Sequence, residues 1–114
     1  MNNTEKIYSL LGLCNKAGKL VSGEFATEKA VKSREAKLVI ISEDASDNTK
    51  KKFMDKCKFY KVQVLSFGDK ENLGHAIGKD IRTSLAITDE GLAKTLLNNL
   101  LLDKQYGGNV NGEN

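Results

Sequence analysis

The run KLVIIS at residues 37–42 constrains the fold most. Its four central residues are all apolar and three are β-branched, so an extended chain there has no polar side to offer water. It is expected to be a central strand covered on both faces. VQVLSF (62–67) and SLAIT (84–88) read as further strands, and Leu20 with Val21 as a brief one. Between them the apolar spacing changes to that of helices. Ile7, Leu10, Leu11 and Cys14 define a first helix with Thr4 as its expected N-cap, and Ser22 is placed to cap a second, over about 23–34. Phe53, Cys57 and Tyr60 define a third from Asp47 to about Phe59. GDKENLGHAIG (68–78) is a short helix carrying Leu73 and Ile77 and ended by Gly78, and Asp89 caps a last one. Alternating helices and strands imply an α/β class, a three-layer α/β/α sandwich around a sheet of about four strands.

A chain of 114 residues buries about 65% of its unfolded surface in one core, so residues 1–103 are expected to form a single domain. Residues 104–114, ending in QYGGNVNGEN, have nothing to bury and are expected to be a disordered tail. The N-terminus MNNTEKIYSLLGL has an acidic residue and too short an apolar stretch for a signal peptide, and no apolar run is long enough to span a bilayer. A cytoplasmic protein with no membrane partner is expected. Cys14 and Cys57 then read as buried thiols rather than a bridge. With no C-x-x-C and a single histidine, no metal site is expected, and no cofactor.

The net charge of +3 conceals an asymmetry. Residues 1–61 carry 13 basic against 8 acidic side chains, and residues 62–114 carry 5 against 7. A clustered basic excess suits a polyanion.

Catalysis finds little support. His75 has no nucleophile that the sequence places beside it, and the Glu43-Asp44 pair after KLVIIS reads as a turn cap. GLCNKAGKL resembles a phosphate loop only superficially, since a Walker motif needs glycine where Leu13 stands and a hydroxyl where Leu20 stands. A non-enzymatic protein is expected. The lysine run KKKFMDKCKFYK (50–61) reads as a solvated helix face opposite Phe53 and Cys57. The second helix differs in kind. At 100° per residue Ala26, Thr27, Ala30 and Val31 share one side, and Phe25, Lys29 and Lys32 the other. An aromatic one turn from two lysines, at a positive helix N-terminus, suits stacking on bases beside a phosphate. Alternatively, Phe25 folds down onto the end of the short strand.

The order GKLVSGEFATEKAVKSREAKLVIISEDAS, a lysine-rich helix, VQVLSFGDKENLGHAIGKD and IRTSLAITDEGLAK resembles the kink-turn RNA-binding ribosomal protein family, the ribosomal L-seven-Ae family, and within it the small bacterial YlxQ-type branch. The resemblance spans about residues 4–102, and the pattern LGHAIGKD to SLAITDEG is specific. It implies a mixed four-stranded sheet. It also implies that the start of the second helix enters the widened groove of a kinked RNA duplex beside tandem sheared G·A pairs, while the loop before the last strand meets bases extruded at the bend. The family's helix motif, Gly-x-Asn-Glu-x-x-Lys, falls on Gly23, Glu24, Phe25, Ala26 and, at its lysine, Lys29. The loop falls on Asp80, Ile81, Arg82 and Thr83.

Phe25 and Ala26 thus replace the two polar positions of that motif. Affinity must then come from shape and from phosphate contacts by Lys16, Lys19, Lys29, Lys32 and Arg82, with Phe25 as a stacking or wedge residue. The expected function is recognition of kinked or bulged RNA by a ribosome-associated monomer, whose expected partners are structured RNA, kink-turn or ribosomal, together with the ribosome or translation factors. The alternative is a protein-interaction module on the same fold, with Phe25 as an interface anchor.

Overall fold

The computed structural model describes residues 1–104. Along the chain run α1 (Asn3–Lys16), β1 (Leu20–Ser22), α2 (Glu24–Lys32), β2 (Leu38–Ile41), α3 (Asp47–Tyr60), β3 (Gln63–Ser66), α4 (Lys70–Ala76), β4 (Ser84–Ile87) and α5 (Glu90–Leu102). The strands lie in the order β1-β4-β2-β3. β2 pairs antiparallel with β4 and parallel with β3, and β1 antiparallel with β4, so the sheet is mixed.

The apolar run of β2 is central, and the period of two divides its side chains between two cores. Leu38 and Ile40 join Leu85 and Ile87 of β4 against Ile7, Leu11 and Cys14 of α1, Leu73 of α4, and Leu96 and Leu100 of α5. Val39 and Ile41 join Ala86 against Ala30 and Val31 of α2 and Phe53 and Cys57 of α3. Three helices therefore cover one face and two the other, which makes the three-layer α/β/α sandwich. Cys14 and Cys57 are both buried and free, one in each core.

Two caps differ from the expected ones. α1 starts earlier than Thr4, because Asn2 and Glu5 close a reciprocal capping box, and the Thr4 hydroxyl turns instead to Asp103 at 3.1 Å. α2 is capped by Gly23 rather than Ser22. Ser46, Asp69 and Asp89 cap α3, α4 and α5 with side-chain oxygens, Asp89 as expected. The expected tail of residues 104–114 lies, beyond Lys104, outside the described residues. No helix among the described residues is long and apolar enough to cross a membrane.

Candidate nucleic-acid interface

β1 runs into α2 at Gly23, and the 80–83 loop runs into β4 at Ser84. Because these strands are antiparallel, with Ser22 opposite Leu85, the end of one lies beside the start of the other. The Gly23 N–H donates to the Ser84 carbonyl at 3.0 Å, and Arg82 Nε donates to Ser22 Oγ at 2.9 Å. Segments about sixty residues apart in sequence thus form one corner.

Gly23 sits at φ 95°, in the left-handed region where a Cβ is unwelcome, although a Cβ there would meet no neighbouring atom. Conformation, not crowding, requires the glycine. No side chain caps α2, since its N-cap residue is a glycine, and the Ser22 hydroxyl accepts from Arg82 instead. The N–H groups of its first turn therefore keep their capacity for an external acceptor, at the positive end of the helix.

Along α2 the expected division of faces holds, except that Ala26, expected on the inner side, is only half-buried. Thr27, Ala30 and Val31 are buried, while Lys29 and Lys32 are exposed and Phe25 is 81% exposed. Phe25 does not fold down onto the strand. A shallow groove of about 400 Å³ is lined by Phe25, Glu28, Lys29, Lys32 and Ser33. Lys29 has no ion-pair partner among the described residues, whereas Lys32 Nζ lies 3.2 Å from Glu28. Glu28 also holds Lys52 Nζ at 2.7 Å and Lys56 Nζ at 3.4 Å, and Glu24 shares Lys52 at 3.1 Å. The hydrogen bond from Lys52 is the main cause holding the Glu28 carboxyl down at about 2; burial opposes it, and Lys32 and Lys56 add to it. Its two carboxylate partners push the Lys52 ammonium up in turn. The lysine run of α3 is thus not simply a solvated face: two of its members cross to α2.

The loop is held from behind. Arg82 N–H donates to the Lys70 carbonyl at 3.0 Å, Ser42 N–H donates to the Thr83 carbonyl at 3.0 Å, and Lys79 N–H donates to the Gly74 carbonyl at 2.8 Å. Gly74 lets α4 touch the loop backbone: a Cβ there would stand 2.7 Å from the Asp80 carbonyl carbon and 3.0 Å from Ile81 N. Ile81 is left 49% exposed at the tip, and Arg82 Nη1 donates to its carbonyl at 2.8 Å.

The structure therefore gathers Gly23, Glu24, Phe25, Ile81, Arg82 and Thr83 at one corner, extended along α2 by Lys29 and Lys32. Lys16 and Lys19 do not join it. The Lys19 carbonyl accepts from Thr88 N–H at 2.9 Å, at the other end of β1, about 13 Å of extended chain from Gly23. Sequence reasoning missed Ser22, whose partner is distant in the chain, and Gly74, which a glycine inside a helical pattern does signal. His75 is exposed on α4, and neither it nor Glu43 lines the α2 groove or the grooves beside β3 and beneath α5. Among the described residues no cluster of three or more His, Cys, Asp or Glu side chains is placed to hold a metal ion.

A model of the ribosomal protein L7Ae/L30e/S12e/Gadd45 family matches residues 5–97. The chain is 47% identical over 96 residues to RNA-binding protein YlxQ of Bacillus subtilis, covering 84% of this chain and 94% of that protein. It is 39% identical over 92 residues to RNA-binding protein YlxQ of Enterococcus faecium, covering 81% and 88%. A solved structure of a protein of unknown function from Bacillus halodurans superposes with a TM-score of 0.81 at 41% identity, covering 83% of this chain and 96% of that one. The 15.5kD RNA binding protein of Giardia lamblia superposes at 0.74 and 19% identity, covering 92% and 91%, a likeness of fold.

Proposed function

Because this chain belongs to the ribosomal protein L7Ae/L30e/S12e/Gadd45 family, we propose that it binds structured RNA without catalysis, and more narrowly that it recognises a kinked duplex at the corner built by Gly23, Phe25 and the 80–83 loop. One observation carries this reading. An uncapped helix N-terminus, an exposed aromatic, a lysine with no ion-pair partner among the described residues and an arginine-bearing loop are held together by the Gly23–Ser84 and Arg82–Ser22 hydrogen bonds. The names of the two YlxQ relatives, both RNA-binding proteins, support its broader part, RNA binding.

Each part has a distinct task. The first-turn N–H groups of α2 donate to a phosphate or base-edge oxygen where the helix dipole favours negative charge. Phe25 offers a ring face to a base at the bend, a contact worth about 1–3 kcal/mol when bases stack on aromatics. Ile81 covers an unstacked base, while Lys29 and Arg82 neutralise phosphates. Since Phe25 and Ala26 cannot hydrogen-bond to base edges, selectivity for the kink rests on shape and stacking more than on edge reading.

The test is a titration of a labelled kink-turn RNA against a matched duplex whose G·A pairs are replaced by Watson–Crick pairs, at two salt concentrations. Tighter binding to the kinked RNA is expected, with Lys29→Ala lowering the salt slope by about 1. Equal, weak binding to both would reduce the corner to a generic basic surface. Binding to neither, together with salt-insensitive binding of a protein that Phe25→Ala abolishes, would make the corner a protein interface.

A further inference from the structure

α3 carries a second exposed aromatic. Its core face is Phe53, Cys57 and the half-buried Tyr60, so packing does not require Phe59, which is 74% exposed in the last turn. The Phe59 ring is nonetheless held in place: it meets the Tyr60 ring edge to face, centroids 4.9 Å apart at 76°. On Tyr60 in turn lies the Arg34 guanidinium, 5.2 Å from the ring centroid.

Cations frame this stack. Arg34 and Lys61, which follow α2 and α3, both adopt the left-handed backbone, at φ 67° and 60°. That position is normally given to glycine, and another residue there costs about 1 kcal/mol, which the helix C-terminal dipole offsets only in part for a cation. Lys58 is exposed and has no ion-pair partner among the described residues. Between this stack and Phe25 lie Lys29 and the lysines gathered on Glu28, namely Lys32, Lys52 and Lys56. Glu24 and Lys52 pair near the start of α2, Glu28 and Lys56 in its middle, and Arg34 and Tyr60 past its end, so α2 and α3 run side by side in the same direction. The nine residues of α2 span about 14 Å. That is the axial length of about four stacked nucleotides.

We propose that the Arg34–Tyr60–Phe59 stack is a second RNA-contact point, which takes an unpaired base of a strand that leaves the structured RNA and follows the lysines of α2 and α3. This rests on the RNA-binding reading above. The occupant is single-stranded because a duplex hides its base faces, and only an unpaired base can present one to Phe59. Lys29, Lys32, Lys52 and Lys56 outnumber Glu24 and Glu28, with which three of them pair, and this net positive excess supplies the sequence-independent attraction to its phosphates.

The experiment compares one kink-turn RNA in blunt form with versions carrying an unpaired extension of about six nucleotides on either end, a length within known single-strand site sizes. For the wild-type protein one extension is expected to tighten binding about 5- to 20-fold, the scale of one stacked base. Phe59→Ala removes that gain and leaves binding of the blunt RNA unchanged. Phe59→Tyr, which keeps the ring face, retains the gain, and Phe59→Leu, which keeps only apolar bulk, loses it. A wild-type protein that binds the blunt RNA and gains nothing from either extension overturns the inference alone, as does Phe59→Ala that keeps the gain. Failure to bind the kink-turn in any form overturns the RNA reading and this inference with it.

Discussion

At Gly74 the absence of one methyl group decides where the candidate interface sits. A side chain there drives α4 against the Asp80 and Ile81 backbone, which has no rotamer by which to yield. Gly74→Ala is therefore expected to cost about 1–3 kcal/mol, the usual penalty of overpacking, and to shift the Ile81 and Arg82 resonances in NMR spectra. Urea unfolding measures the first, and an unchanged midpoint would mean that the loop moves freely. Phe25→Ala is the contrasting case: its ring is 81% exposed, so stability should stay within about 0.5 kcal/mol of wild type. A loss above about 2 kcal/mol by the same measurement would show that the ring packs after all. The Phe25, Lys29 and Lys32 stripe was legible because helical period alone separates it from Thr27, Ala30 and Val31. The cap of α2 was not. Ser22 has the right chemistry for an N-cap, but it ends β1 opposite Leu85, one residue too early, and its hydroxyl accepts from Arg82, a tertiary partner that no local pattern announces.

Between elements, the α2–α3 contact turns on Glu28, whose carboxylate gathers Lys52, Lys32 and Lys56. Its carboxyl is held down from the ordinary 4.5 to about 2. A depressed carboxyl stabilises the fold at any pH above its unfolded value. As pH falls from about 4.5 towards 2, the unfolded chain takes up this proton before the folded one does, and the contribution is lost. Glu28→Gln should thus be less stable than wild type at pH 7, and the difference should close by about pH 2. The lysine ends are partly open to water, so the gap should be modest, about 0.2–1 kcal/mol, and smaller in high salt. Parallel urea titrations at pH 7 and pH 2.5 measure it, and a gap independent of pH would assign the loss to packing. Helix and strand positions along the chain were readable because period two and period 3.6 differ over a few residues. The direction in which strands pair was not local information: the mixed sheet came from the family resemblance, while the antiparallel β2–β4 and parallel β2–β3 pairs depend on packing across the whole chain.

For the molecule as a whole, the basic excess of the first half becomes a property of one layer, since α3 alone carries five lysines against two aspartates. The two layers share a sheet but not a core, and whether they unfold together bears on whether the layer that carries the candidate interface can loosen by itself. Cys14 lies in the core beneath α1, α4 and α5, and Cys57 in the core beneath α2 and α3. Burial pushes both thiols up, Cys57 to about 11, so neither supplies the reactive thiolate at neutral pH while the fold is closed. Each therefore reports the opening of its own layer. The alternating side chains of β2 and β4 serve both cores, so losing either layer exposes one face of the central strands and withdraws support from the other. One cooperative unit is the expected result: Cys14→Ser and Cys57→Ser variants, each with a single remaining thiol, should be labelled by a thiol reagent with the same dependence on urea once corrected for their own stabilities. Faster labelling of Cys57 at low urea would mean that α2 and α3 open separately, and the candidate interface would then be a mobile layer carried on a stable half, able to adjust to its RNA as it binds.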